Sequence, residues 1–168
     1  MPMQLTPATP TPCLIEVFNR SIPGVVKLSY WVSATKITPD TPNPDPLSII
    51  AWDQPLFVHA KVEFEGAVRH HLCGKICLDL DIDTCGPAPD YEFPEVLIDL
   101  DPCGTGVYVG TIEIKPDTLK PKDDGGKCGR MYRLCLTIGS RDACGNPGLI
   151  WGHCDEVSIV VHPPVPHN

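Results

Sequence analysis

The chain has 168 residues, enough for one domain with an extension, because single domains commonly run to about 100–200 residues. Its formal net charge of −8 argues against nucleic acid as a partner, and no apolar run approaches the roughly 18 residues needed for membrane insertion. Nine cysteines without metal-site spacing predict an oxidising, extracellular or cell-surface location, although residues 1–13 show no secretory signal.

The first part of the chain predicts an extension with two strands. Residues 1–12 are rich in Thr and Pro and indicate an extended arm. Residues 13–19 (CLIEVFN) and 25–36 (VVKLSYWVSATK) are typical of strands, and the second carries apolar groups on both faces, so we expect it to be covered twice. Prolines recur throughout residues 38–46, which therefore cannot form a helix or a central strand and are predicted to be a linker. We therefore predict that residues 1–50 are an N-terminal extension.

From residue 56 onward the apolar side chains alternate with polar ones, which is typical of half-buried antiparallel strands. In residues 56–66 Val58 faces inward and His59 outward, and in residues 72–83 Leu78 faces inward and Asp79 outward. Further strands are predicted at residues 95–101, 106–114, 130–138 and 156–161. The pattern predicts an all-β sandwich or barrel at residues 51–162, followed by a Pro-rich tail at residues 163–168.

The second half of the chain carries a recognisable motif. A GTGVYVGTIEI strand precedes a segment of the form Y-x-[apolar]-x-[apolar]…D-x-x-G-N, made by Tyr132, Leu134, Leu136, Asp142, Gly145 and Asn146. Over residues 54–162 the chain resembles the bacterial immunoglobulin-like and fibronectin-type β-sandwich domains of extracellular proteins. This resemblance implies an immunoglobulin-like antiparallel β-sandwich, here stapled by disulfides, and says little about function, because the fold has many roles.

The resemblance implies that the strand at residues 72–83 lies antiparallel beside the strand at residues 130–138. Antiparallel partners keep a constant sum of residue numbers. Cys77 with Cys135 gives 212, and Cys85 with Cys128 gives 213, so two pairs agree on one register. We therefore predict the disulfides Cys77–Cys135 and Cys85–Cys128.

The same register places Asp79 opposite Arg133 as an opposite-charge pair. Cys144 and Cys154 flank the loop before the last strand and could close it with a third disulfide. Three cysteines remain: Cys13, Cys73 and Cys103. An odd number suggests an intermolecular bridge or a free thiol, and Cys13 is the candidate because it lies where the arm meets the first strand.

Metal sites are not favoured by the sequence. A zinc site at His70, His71, Cys73 and Cys77 lacks the usual ligand spacing. The aspartates of residues 79–83 project in parallel from a strand and do not converge on a calcium ion, so Asp83 and Asp101, near strand ends, are only weak calcium candidates. No cofactor is expected.

No catalytic motif is present in the sequence, so we expect a protein that is not an enzyme. The first hypothesis is a self-associating structural subunit of a filament or surface layer, a homo-oligomer joined by the N-terminal segment. The contact residues would be Val25, Leu28, Tyr30, Trp31 and Val32. The alternative is a monomeric binding or adhesion module for carbohydrate, calcium or a surface protein, with Trp52 or Trp151 as an exposed platform. A third hypothesis is a metal-binding or redox protein that uses Cys73 and Cys77.

Overall fold

The computed structural model describes residues 13–17, 24–84, 90–122 and 127–166, with side chains from residue 24 onward. The described residues contain ten strands: β1 Cys13–Val17, β2 Val25–Ser33, β3 Ile49–Ala51, β4 Leu56–Glu65, β5 Gly74–Thr84, β6 Tyr91–Glu92, β7 Val96–Leu100, β8 Val107–Ile114, β9 Arg130–Arg141 and β10 Pro147–His162. The same residues include one short helix, α1, at Val68–His71. The all-β class is confirmed.

The strands form one hydrogen-bonded path in the order β6-β5-β9-β10-β1-β2-β4-β8. β7 adds to β5, and β3 adds to β10 as the one parallel pair among the described strands. β1 pairs with β10 through Glu16 and Val17, and with β2 from Cys13 to Ile15. It therefore joins two sheets, which we call sheet A (β2, β4 and β8) and sheet B (β10, β9 and β5 with β3, β6 and β7).

The core lies between the two sheets, because each turns its apolar face toward the other. Leu28 and Val62 of sheet A and Leu80 and Leu136 of sheet B are buried in one cluster. A Cβ atom at Gly110 of β8 would lie 2.7 Å from a methyl group of Leu78 in β5. The missing side chain at that position therefore allows the two sheets to approach closely.

Tyr30 connects the sheets by its hydroxyl group. The hydroxyl donates to the carbonyl oxygen of Leu134 at 3.0 Å, with the carbonyl oxygen of Cys154 at 3.1 Å, and accepts from the backbone N–H of Val157 at 3.2 Å. The β9–β10 ladder is irregular between Cys154 and Val157. Tyr30 therefore satisfies backbone groups beside a bulge, and burial raises the pKa of its hydroxyl to about 12.

We expect the free energy of unfolding to fall as the pH rises above about 10. Tyrosine in the unfolded chain ionises near pH 10, whereas Tyr30 in the folded state keeps its proton to about pH 12. Between these values the unfolded state binds fewer protons, so stability that is present below pH 10 is lost by on the order of 2 kcal/mol. Urea unfolding at several pH values measures how steeply the free energy of unfolding falls with pH. Tyr30→Phe should reduce this slope, and an unchanged slope in that variant would show that Tyr30 is not its cause.

The described part of residues 1–50 is not separate from the rest of the chain. β2 lies inside the fold between β1 and β4, and it pairs with β4 along its whole length from Val25 to Ser33. The linker at residues 38–46 lies against its outer face, where the indole N–H of Trp31 donates to the carbonyl oxygen of Pro44 at 3.1 Å. One face of β2 lies in the core, and the linker of the same chain covers the other face at Trp31, whereas Val25 on that outer face is exposed.

β5 and β9 are antiparallel neighbours, as expected, but the predicted register between them is wrong. Cys77 lies opposite Gly139, and Cys135 lies opposite Asp81. The residue numbers of these partners add up to 216 and not to 212 (77 + 139 and 81 + 135). The two cysteines are therefore four residues apart along neighbouring strands, a displacement of about 13 Å.

The partner of Arg133 shows the same displacement. Its guanidinium bonds the carboxylate of Asp83 at 2.9 Å and not that of Asp79, and this hydrogen bond lowers the pKa of Asp83. A register changed by an even number of residues leaves the same side chains facing the core, because the side-chain period of a strand is two. The alternation therefore allowed both registers, and the assumed disulfides selected the wrong one.

Candidate functional site

The described cysteines do not form the predicted pairs. Free thiols are present at Cys73, Cys77, Cys103, Cys128, Cys135 and Cys144. The Cys77–Cys135 disulfide is wrong, because the register holds these residues beyond the roughly 7 Å that a disulfide spans. The Cys144–Cys154 disulfide is not formed either, since Cys144 sits as a free thiol in the exposed turn before β10.

The predicted Cys85–Cys128 disulfide is likewise not formed, because Cys128 has a free thiol. Cys85 itself lies outside the described residues. The prediction of a free or intermolecular thiol at Cys13 falls on a residue whose side chain also lies outside them.

The predicted assembly surface on β2 is largely inside the molecule. Leu28, Tyr30 and Val32 lie in the core, and Trp31 is covered by the linker, whereas Val25 is exposed. Apart from Val25 and the partly buried Lys27 and Ser29, the side chains of β2 are buried, so most of the predicted contact residues cannot meet another copy while the chain is folded. The N-terminal strand pairing expected between copies occurs within one chain.

The two weak calcium candidates are not brought together. β5 begins at Gly74, which pairs with Leu100 beside Asp101, and Asp83 lies near its other end. About ten residues of strand separate the two carboxylates, or roughly 33 Å. In the described part of the chain, no group of three or more His, Cys, Asp or Glu side chains is placed to hold a metal ion.

A buried polar cluster surrounds His59 on the outer face of sheet A. Its Nε2 lies 2.7 Å from Ser33 Oγ and 3.1 Å from the carbonyl oxygen of Thr35, and its Nδ1 lies 3.0 Å from Thr111 Oγ1. Ser33 Oγ donates its proton to the same Thr35 carbonyl at 2.6 Å. Nε2 is therefore the donor, and burial lowers the pKa of the imidazole. Ser33 has no base to activate it.

A small cavity lies near this cluster. It has a volume of about 250 Å³ and is lined by Ser29, Trp31, Asn43, Pro44, Pro46 and Lys61. Small-molecule sites commonly enclose about 300–1,000 Å³. The indole N–H of Trp31 is already bonded to the carbonyl oxygen of Pro44, so it is not free to bind a ligand in this cavity.

Trp151 is an exposed aromatic side chain. It is 52% exposed on the outer face of sheet B, whereas Trp31 and Trp52 are 8% and 6% exposed. Of the two tryptophans predicted as exposed platforms, Trp151 is confirmed as exposed and Trp52 is wrong. Trp52 is buried, and its backbone N–H bonds the carbonyl oxygen of His162 at 3.1 Å.

The neighbouring backbone explains why Trp151 is presented to solvent. The β9–β10 ladder is irregular between Pro147 and Trp151, and bulges of this kind redirect side chains. The Ser140 hydroxyl fixes the irregular segment by accepting from the backbone N–H of Ile150 at 3.1 Å. Gly139 lies opposite Trp151, and a Cβ atom there would meet nothing within 4 Å. The indole therefore stands beside a shallow open strip.

Polar side chains surround this strip on the same face. Arg141 binds both carboxylate oxygens of Glu95, at 2.9 and 3.0 Å. Thr137 Oγ1 and His153 Nδ1 are 3.1 Å apart. We call this set, with Trp151 and Gly139, the Trp151 face.

Two side chains of β5, Cys77 and Asp79, lie on the same outer face of sheet B. Cys77 lies opposite Gly139 and is buried, which raises the pKa of its thiol, with a further contribution from a hydrogen bond to Glu95. Burial also raises the pKa of Asp79, and the nearby Glu95 carboxylate adds to it. The arrangement combines one exposed aromatic plane with hydrogen-bonding groups on both sides of an open strip.

Within the described residues, no helix is long and apolar enough to span a membrane. No protein-family model matches the chain, and no curated protein matches it significantly.

Proposed function

We propose that the chain is a non-enzymatic, immunoglobulin-like binding module of an extracellular setting that binds a neutral glycan chain at the Trp151 face. The proposal rests on Trp151, which is the one exposed tryptophan of three and stands among hydrogen-bonding side chains. The extracellular setting is supported by Cys154, which is disulfide-bonded, because disulfides persist in oxidising environments.

The strand order supports the immunoglobulin-like part of the proposal. In that fold the A, B and E strands are neighbours in one sheet and the C, F and G strands in the other. Sheet A has the order β2-β4-β8, and sheet B has the order β10-β9-β5. By their positions along the chain, β2, β4 and β8 correspond to strands A, B and E, and β5, β9 and β10 correspond to strands C, F and G.

A neutral sugar suits the Trp151 face because it has an apolar C–H face and a rim of hydroxyl groups. The indole plane offers a large, rigid apolar surface, and Thr137, His153, Glu95 and Arg141 offer donors and acceptors. The charges on Glu95 and Arg141 are paired with each other, so neither is an isolated charge that would select an oppositely charged ligand.

The Ser33–His59 pair supports a non-enzymatic role. Both side chains are fully buried, and the serine proton is bonded to a carbonyl oxygen. A nucleophile needs access to substrate and a base that can take its proton. This pair has neither and stabilises the strand contacts around it.

Trp151→Ala is expected to abolish glycan binding. Neutral hexasaccharides of glucose, mannose, galactose and N-acetylglucosamine would be titrated while tryptophan fluorescence and its quenching by iodide are followed. Because Trp31 and Trp52 are buried, the iodide-sensitive emission comes from Trp151, and a bound sugar should protect it. Because the variant lacks this reporter, its Kd is measured by isothermal titration calorimetry, and we expect it to rise at least tenfold relative to the unaltered protein, which corresponds to about 1.4 kcal/mol.

The matched control is Met131→Ala, which removes another exposed apolar side chain from the same outer face, nearer the end of β9. This variant should bind as the unaltered protein does. If no oligosaccharide protects Trp151, or if Met131→Ala weakens binding as much as Trp151→Ala, the proposed site is wrong.

A second candidate function is self-association, and β8 is the observation that favours it. β8 is an eight-residue strand that ends sheet A, and no described strand pairs with its other edge. Val107 and Val109 on it are 43% and 45% exposed. A long, apolar, unpaired edge is suited to pairing with the same edge of a second copy.

Val109→Lys is expected to convert a β8-paired dimer into a monomer, because a lysine on an edge strand opposes pairing. Light scattering coupled to size-exclusion chromatography measures the mass. Val25→Lys places the same charge on the outer face of β2, away from that edge, and should not change it. A monomeric unaltered protein, at concentrations up to about 1 mM, would rule this candidate out and leave the glycan proposal untouched.

A further inference from the structure

We infer that residues 34–46, which we call the cover segment, close over neutral His59 and open when its imidazole takes up a proton. All residues of this segment are described, and none of them belongs to a strand. Most of their side chains are exposed, and the carbonyl oxygens of Thr35 and Pro44 accept hydrogen bonds from the outer face of sheet A. A segment held by few such contacts opens at a lower free energy than the sheet beneath it.

His59 is held in its neutral form beneath the cover segment. Its side chain is fully buried. Nε2 lies 3.1 Å from the carbonyl oxygen of Thr35, and Nδ1 lies 3.0 Å from Thr111 Oγ1. Because a carbonyl oxygen can only accept, Nε2 carries the proton of the neutral ring, and Nδ1 accepts from the Thr111 hydroxyl. The closed state therefore uses both ring nitrogens without a charge.

Protonation of His59 is incompatible with this arrangement. The added proton forms an N–H bond at Nδ1, which then no longer accepts from Thr111, and the ring becomes a cation. Trp31 and Phe57 flank the ring, with centroids 5.3 and 6.3 Å from its own. Among the described residues, no carboxylate is hydrogen-bonded to the ring. A buried charge without a partner is costly, so the charged ring favours an open state that water can reach.

The titratable groups on the elements around His59 are paired with each other or exposed. On the outer face of sheet A, Lys27 lies 2.9 Å from Glu65, and Lys61 lies 3.3 Å from Glu63. The exposed groups are Glu113 of β8 and Lys36, Asp40 and Asp45 of the cover segment. Carboxylates ordinarily titrate near pH 4, so a change between about pH 5 and 6.5 points to an imidazole.

A cavity gives water a route to the buried ring. It has a volume of about 250 Å³ and lies between the cover segment, at Asn43 and Pro44, and sheet A, at Trp31 and Lys61. The segment is therefore incompletely packed beside Trp31, which is itself in contact with His59. Outward movement of the segment would widen this cavity and hydrate the imidazole.

Acid shifts the equilibrium toward the open state. Burial lowers the pKa of His59 in the closed state, whereas a hydrated imidazole titrates near pH 6.5. Below that pH the open state binds more protons, so the stability of the closed state is fully present above about pH 6.5 and is lost as the pH falls. The ratio of open to closed molecules rises by up to about tenfold for each pH unit. Opening uncovers Trp31 and Phe57, which are 8% and 9% exposed in the closed state.

Hydrogen exchange of the Trp31 indole N–H, followed by NMR in the full-length protein, measures the opening. In the closed state this proton is bonded to the Pro44 carbonyl oxygen at 3.1 Å, so it exchanges when the segment opens. Division by the rate of free tryptophan at each pH removes the pH dependence of the exchange chemistry. We expect protection to fall by up to about tenfold per pH unit below about pH 6.5, while the β9 amides stay protected. Constant protection down to about pH 5, or loss of β9 protection in the same step, would overturn the inference.

His59→Gln tests whether this imidazole causes the opening. The glutamine amide can donate to Thr35 and accept from Thr111, but it does not titrate. In this variant the protection of Trp31 should no longer vary with pH in the same range. The matched control is His71→Gln, which removes an exposed imidazole and should keep the full pH dependence. A dependence that persists in His59→Gln, or is lost in His71→Gln, contradicts the inference.

The ring nitrogen chemical shifts of the unaltered protein give a test that needs no substitution. At about pH 6.5, where a hydrated imidazole is half protonated, His59 in the closed state should be neutral with its proton on Nε2. A charged His59 ring in the closed state at that pH would refute the inference even if His59→Gln does not fold. None of these measurements involves a glycan, so they succeed or fail independently of the proposed function.

Discussion

Deletion of residues 1–36 is expected to abolish cooperative folding of the remaining chain. The deletion removes β2, which pairs with β4 along its whole length. It also removes four buried core side chains, those of Val26, Leu28, Tyr30 and Val32. At about 1.5–3 kcal/mol each, their burial contributes about 6–12 kcal/mol, which is comparable with the whole stability of a typical domain, about 5–15 kcal/mol. Circular dichroism and urea unfolding would show the loss.

The matched control is deletion of residues 1–12, which ends just before β1. That variant should still unfold cooperatively. If the chain without residues 1–36 is instead folded and monomeric, β2 is dispensable. The N-terminal segment would then be a separable extension, as the sequence predicted.

Gly74→Ala is expected to destabilise the protein by about 3 kcal/mol or more. Gly74 begins β5 with a φ of +101°, a conformation that side chains with a Cβ atom rarely adopt. A Cβ atom there would also collide with the carbonyl oxygen of Arg141 and lie 2.7 Å from the carbonyl carbon of Asp142. These are backbone atoms at the end of β9, so relief of the contact would displace the β5–β9 ladder.

Gly139→Ala is the control for this substitution. A Cβ atom at Gly139 meets nothing within 4 Å, and the position lies within β9. We expect a change in unfolding free energy within about 1 kcal/mol, and of stabilising sign, because glycine weakens a strand interior. Equal losses in the two variants would show that the close approach at Gly74 does not matter.

The alternation of apolar residues predicted the inward face of sheet B correctly. Leu78, Leu80 and Ile82 are buried, while Asp79 and Asp81 are exposed, as expected. The last strand was predicted too short, at residues 156–161, whereas β10 spans Pro147–His162. The segment PGLIWGHCD lacks a clean alternation, and its strand conformation depends on pairing with the distant β9 across two irregular steps.

The burial of individual polar residues was harder to predict from the sequence. His59 was predicted on the outward side of β4, which is its true face, yet it is fully buried. The cover comes from contacts with Ser33, Thr35 and Thr111, which are far from it in sequence. The exposure of Trp151 and the burial of Trp52 also depend on such long-range packing, so the sequence offered both as platforms without a means to choose.

The position of β1 between the two sheets implies an order of local opening. On that side hydrogen bonds run continuously from β10 through β1 to β2, whereas β8 is held by β4 on one edge. Regions held by few such bonds open at lower free energy than the global transition. Native-state hydrogen exchange should therefore release the β8 amides in a sub-global step, while the amides shared by β9 and β10 exchange only when the whole domain unfolds.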